Sequence, residues 1–179
     1  MLASPPSVPS RTTKVRPSGK PAYVEKLLFH PVELAESAVV RQGIAYWTGL
    51  KGAYRFPERA QVTLRGLCGL AKHATLIRVL DGGEDYEFRF IGDVPVAAVG
   101  WNFQGRRLSE PEIMAVMRAN YRQQFYDEVV HTGAPRLFKC RMVDAYGLHL
   151  PVNSETVYLP LGTGAIVDHL LGFTVFSAD

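Results

Sequence analysis

The sequence predicts an α+β fold: five strands, two before and three after a set of helices, with an N-terminal helical extension. Three observations predict it. Thr75–Leu80 and Tyr86–Gly92 are two runs with alternate apolar side chains, joined by Asp81-Gly82-Gly83-Glu84-Asp85, the pattern of a β-hairpin. Ser109, Pro111 and Glu112 carry the signals of a helix start, and Ile113, Met117, Tyr121, Phe125 and Val129 then recur every fourth residue. Three short apolar runs around Phe138, Tyr158 and Phe173 follow and read as strands.

The elements can be justified in chain order. Residues 1–22 are rich in Pro, Ser and basic side chains and poor in large apolar ones, so a disordered basic tail is expected. Residues 23–63 are read as an N-terminal helix and an extended connector. The stretch Tyr23–Phe29 has no clear period. From Pro31 the residues Val32, Ala35, Val39, Gly43, Tyr46 and Leu50 form one helical stripe, with Trp47 beside it. Gly43 in its middle implies either a close contact or a bend, because glycine costs about 1 kcal/mol relative to alanine there. Gly49 and Gly52 close the helix, and Arg55-Phe56-Pro57-Glu58-Arg59 runs extended, since the residue before proline avoids the α region.

Residues 64–179 form the main domain. Leu64–Ala71 reads as a short helix or turn leading to the hairpin. In the second hairpin strand Tyr86, Phe88 and Phe90 are expected on one face, with Glu87 and Arg89 on the other. Val94–Val99 suggests a short helix and Trp101–Arg107 a loop. The helix opened by Ser109 is expected to run about five turns to Gly133 and Pro135. Strands follow at Phe138–Met142, at Val157–Leu161, where Pro160 marks an end or edge, and at Leu170–Phe176.

Composition narrows the function classes. With 179 residues, 47% hydrophobic and 21% charged, the chain fits one globular domain. Four of its 20 basic residues, Arg11, Lys14, Arg16 and Lys20, lie in the tail without an acidic neighbour, leaving 16 against 17 acidic residues elsewhere. The chain beyond the tail is near neutral, which argues against nucleic-acid binding. Cys68 and Cys140 stand in no metal or redox spacing and read as free thiols. No apolar run reaches the roughly 20 residues of a membrane span, and the first residues lack a secretory pattern, so the expected location is the cytoplasm.

Strands interrupted midway by helices are similar to the PAS sensory domain, and particular residues sharpen the likeness. Trp47 followed by Arg55, Pro57 and Arg59; Phe88-Arg89-Phe90-Ile91-Gly92; Gly105, Arg106 and Leu108; Tyr121, Gly133 and Pro135; Leu159-Pro160-Leu161; and Leu170-Leu171-Gly172 occur in the order seen in a bacterial family of single-domain PAS-like proteins. The chain resembles that family over about residues 31–176. It departs from the pattern at Gln61-Val62-Thr63, where an acidic residue is usual, and at Asp93, where a small hydroxylated one is common.

The resemblance implies a curved five-stranded antiparallel sheet with helices on one face, whose inner face, with those helices, encloses a small molecule or passes a shape change to a partner. It points to a non-enzymatic sensor or signalling adaptor. The expected ligand-binding residues are Tyr86, Phe88, Phe90, Trp101, Met117, Tyr121, Phe125, Phe138 and Met142, although residues at helical spacing such as Met117, Tyr121 and Phe125 are more often plain core, by roughly three to one. Arg55 and Arg59 are the expected polar anchor for a carboxylate or phosphate, with an intradomain ion pair to Glu58 or Asp85 as the alternative. Protein binding or self-association is expected through the N-terminal helix, with Val32, Val39 and Tyr46 as an isologous contact.

No cofactor is assigned. Flavin-adduct relatives need a cysteine after Gly-x-Asn, and Gly100-Trp101-Asn102 is followed here by Phe103. Haem relatives need an axial ligand, for which His73, His131, His149 and His169 are the candidates. Two rivals stay open: an interaction module with a filled interior, and a small-molecule enzyme on a cone-shaped α+β fold using a pair such as Asp144 with His149.

Overall fold

The computed structural model describes residues 24–117, 125–144 and 152–178. Within them the strands are β1 (Val24–Pro31), β2 (Ala74–Leu80), β3 (Asp85–Ile91), β4 (Arg136–Asp144), β5 (Val152–Thr163) and β6 (Ile166–Ala178). The helices are α1 (Ala38–Lys51), α2 (Leu64–Leu67), α3 (Asp93–Val99), α4 (Pro111–Met117) and α5 (Asp127–Thr132), with 3₁₀ turns at Arg59–Gln61 and Cys68–His73. All strand pairs are antiparallel and form one sheet in the order β1-β4-β5-β6-β2-β3.

The strands expected from the sequence form a contiguous run from β4 to β3, and a sixth is added at the β4 side. Val24–Pro31, which showed no clear period, pairs with β4 from Val24 opposite Asp144 to Pro31 opposite Phe138. Because this segment is held as a strand, the first helix cannot begin at Pro31. It begins seven residues later, where Ser37 in an extended conformation accepts a hydrogen bond from Val40 N.

That shift changes the buried stripe of α1. Val40, Gly43 and Trp47 are buried, while Val39, Tyr46 and Leu50 flank them. Val32 lies outside the helix and Tyr46 is turned toward Gly66, so the helical stripe expected through Val32, Val39 and Tyr46 does not include Val32. Gly43 is explained by proximity: a Cβ there would stand 2.3 Å from the Phe173 ring. Trp47 Nε1 donates to Pro160 O at 2.7 Å, fixing the other end of α1 on β5.

Helices are not confined to one face. Phe173, beneath α1, is adjacent in sequence to Gly172, which pairs with Tyr158. Tyr158 meets Tyr126 at the start of α5. Alternation along β6 therefore puts α1 and α5 on opposite faces of the sheet.

The first hairpin turns at Asp81, Gly82 and Gly83, all with positive φ, and Gly83 N donates to Leu80 O at 2.9 Å. A bulge alters the reading of β3. Ile77 pairs with Phe88 but Leu76 pairs with Phe90, so Arg89 is an extra residue. Phe90 consequently shares a face with Leu76, opposite Phe88, and Ile91 takes the third place beside Tyr86 and Phe88.

The helix start near Ser109 also uses other bonds than the expected cap. Ser109 Oγ donates to Asp85 Oδ2 at 2.7 Å, and Glu112 pairs with Arg106 at 2.8 Å. The expected five-turn helix passes through residues outside those described. Its end is as read: Gly133, in the left-handed region, donates its N–H to Val129 O and closes α5.

Candidate functional site

The α5 face of the sheet carries the aromatic interior that the hairpin pattern foretells. Tyr86 and Phe88 lie opposite Val79 and Ile77 in the β2–β3 pairing, and all four are buried. β6 adds Leu170 opposite Ile77, and β5 adds Tyr158 opposite Gly172. A Cβ on Gly172 would stand 2.6 Å from the Tyr158 ring, so only glycine lets that ring lie flat across β6. Phe138 of β4 extends the same layer, two positions along the strand from Arg136, the partner of Tyr158.

The segment before α5 and its first turn cover this layer. Phe125 stacks on Phe138 with ring centroids 3.9 Å apart and planes inclined by 26°. Tyr126 meets Tyr86 at 5.0 Å and Tyr158 edge-on at 4.9 Å, and its hydroxyl lies 3.3 Å from that of Tyr158. The Tyr86 hydroxyl donates to Asp127 Oδ1, which ties β3 to α5. Such ring pairs each add roughly 0.5–1.5 kcal/mol beyond burial, so the cluster is a major part of the core.

Toward the β3 edge, Phe88 meets Phe103 edge-on at 4.7 Å, and half-buried Trp101 lies 6.0 Å from Phe103. The loop carrying them is pinned to β3 by Gly105 N to Phe88 O, Phe88 N to Arg106 O and Leu108 N to Tyr86 O. Arg106 sits over Trp101 and is gripped by Glu110 and Glu112. Bonds from Arg107 N–H and then from Arg106 hold the Glu110 carboxyl below its ordinary value.

The expected ligand residues are thus brought together only in part. Tyr86, Phe88, Phe125 and Phe138 converge, and Trp101 lies at the rim. Phe90 is carried to the other face by the bulge. Tyr121 lies outside the described residues, and for Met117 and Met142 only the backbone is described. Sequence reading missed Tyr126, Asp127, Tyr158 and Phe103. Tyr158 was accessible to alternation from Phe138 through the strand pairing, which is visible only in the fold.

Arg55 and Arg59 do not converge on a shared ligand partner. Arg55 Nη2 donates to Thr132 O at 2.7 Å and lies against Gly133 and Phe56, whereas Arg59 Nη1 donates to Val62 O at 3.0 Å. Asp85 accepts instead from Tyr86 N and Ser109. Arg55 ties the connector to the end of α5, and Arg59 closes a carbonyl three residues further on.

Of the candidate histidines, His73, His131 and His169 are held by partners within the fold. His73 Nδ1 donates to Thr174 O at 3.1 Å and His131 Nδ1 to Asp127 O at 2.6 Å, while His169 Nδ1 lies 2.7 Å from Asp168 Oδ1. His149, one half of the acid–base pair considered with Asp144, lies outside the described residues. Burial pushes the Cys140 thiol up to about 12, so it stays protonated at neutral pH. No group of three or more potential metal ligands occurs among the described residues.

Comparison with family models, curated proteins and solved structures gives no match to this chain.

Proposed function

We propose that the chain is a non-enzymatic PAS-like signalling adaptor that acts by contact with a protein partner. One observation carries the reading. A single antiparallel sheet unites the first hairpin with the three late strands through β2–β6, and buries Tyr86 and Phe88 beneath α5. One sheet carrying both the first hairpin and the late strands supports the PAS-like reading, to which β1 and the helices on both faces are additions.

Contact is favoured over ligand capture by the interior packing. Phe125, Tyr126, Phe138, Tyr158 and Tyr86 touch one another across the space between sheet and α5, so side chains fill that part of the interior. Outside it, Tyr54, just past α1, and Leu64, at the start of α2, are exposed large apolar residues suited to a partner's surface.

A second reading, a small-molecule sensor, draws support from Trp101. Its half-buried ring stands at the rim of the aromatic layer beside Phe103, where a flat apolar ligand would stack.

Native mass spectrometry of the purified chain separates the two readings. The adaptor reading expects the mass of the polypeptide alone and no visible absorbance; a stoichiometric retained molecule transfers the assignment to the sensor. Cross-linking in the source cell tests the adaptor itself, with one protein captured by the native chain and lost with a Tyr54→Ser, Leu64→Ser double variant. Capture of nothing removes the adaptor reading.

A further inference from the structure

A groove of about 560 Å³ lies where the N-terminus of α1 meets β4, β5 and β6. It opens on the α1 face of the sheet, opposite the Tyr86 layer, and stands independently of the adaptor reading. Lys139, Glu155 and Val175 form one cross-strand row of its floor, and Asn153 with Ser177 continues the next. Glu36 and Ser37 supply the wall.

The two floor charges have different duties. Glu155 is buried, and its carboxylate oxygens accept Glu36 N at 2.6 Å and Ser37 N at 2.7 Å. It builds the wall. Lys139 Nζ lies 2.6 Å from Glu36 Oε2, with the two side chains 39% and 70% exposed. An ammonium has three donors and a carboxylate two acceptor oxygens, so one contact leaves both with capacity for more. A solvent-exposed pair is also weak enough to exchange partners easily.

We infer that this groove binds a free α-amino acid with a long polar side chain. An α-amino acid places an ammonium and a carboxylate on the same carbon, matching a carboxylate and an ammonium that stand side by side. The ligand carboxylate pairs with Lys139 and its ammonium with Glu36. Its side chain runs over Val175 toward Asn153 and Ser177, where an amide or charged end finds hydrogen-bonding groups. The volume falls within the range of about 300–1,000 Å³ usual for ligand sites and leaves room for a long side chain.

The test is titration of the isotope-labelled full chain, followed by amide NMR, with L-glutamine, L-glutamate and L-arginine at millimolar concentration. At least one should give saturable shifts at Glu36, Ser37, Lys139, Asn153 and Ser177. N-acetyl-L-glutamine amide, which lacks both charges, should give none. Lys139→Gln and Glu36→Gln should each weaken binding by about tenfold or more, the effect of losing one charged hydrogen bond. The spectra of both variants without amino acid should overlay the native one away from the groove. Absence of saturable shifts with all three amino acids, equal shifts with the blocked analogue, or native affinity in both variants overturns the site.

Discussion

Cys140 and Cys68 are chemically unequal, as the place of Cys140 between Phe138 and Met142 on the apolar side of a strand foretells. Cys140 is buried with its thiol pushed up to about 12, whereas Cys68 is exposed. A maleimide reagent at neutral pH is expected to label Cys68 rapidly and Cys140 only on unfolding; rapid native labelling of both contradicts the packing of β4. Glu110 offers a second residue-scale check. Its carboxyl is held low in the folded chain by Arg107 N–H and Arg106, so its contribution to stability is complete above the ordinary glutamate range. That contribution fades as pH falls through the lowered value. Thermal melts should show Glu110→Gln less stable than the native chain at neutral pH, with the gap closing in acid. An equal gap at all pH values removes the ionic cause. The alternation of Tyr86 and Phe88 was legible because strand side chains must alternate, but the loss of Phe90 from that face was not. A bulge at Arg89 depends on how β2 pairs, and no local signal in Phe88-Arg89-Phe90 announces it.

Among elements, α1 shows most clearly what sequence reading reached and where it stopped. A helix with Trp47 and a central glycine is readable, but Pro31 signals its start seven residues too early, because proline suits a first helical turn. The same proline also suits the end of an edge strand, and pairing of Val24–Pro31 with β4 decides between them. Ser37 was the better start signal, three residues before the first buried position, Val40. Gly43→Ala should destabilise the fold by about 1–3 kcal/mol despite alanine's better helix propensity, because its Cβ would meet the Phe173 ring at 2.3 Å. Chemical denaturation measures this, and a stabilised Gly43→Ala variant would mean that α1 does not pack on β6. Glu155→Gln should loosen the same helix at its other end, read as faster amide exchange at Glu36 and Ser37, whose N–H groups it now holds.

For the whole molecule, the order of the five later strands was legible, while the first strand and the placement of helices on both faces were not. Periodicity identifies the apolar side of α1 but cannot say which face of the sheet that side will cover. The position of Phe173 under Gly43 and of Tyr158 under Tyr126 settles it, through neighbouring residues on strands paired far apart in sequence. With Val40, Gly43 and Trp47 packed inward, light scattering is expected to give a monomer, and a dimer at micromolar concentration would return α1 to the role of a self-association surface. The account as a whole depends on β2 joining β6, since that ladder alone makes one interior from two distant halves of the chain. Cross-strand nuclear Overhauser effects test it most directly: Ile77 should report on Leu170 and Thr75 on Gly172. Contacts of the late strands with one another but none with β2 would divide the sheet in two and end the adaptor reading.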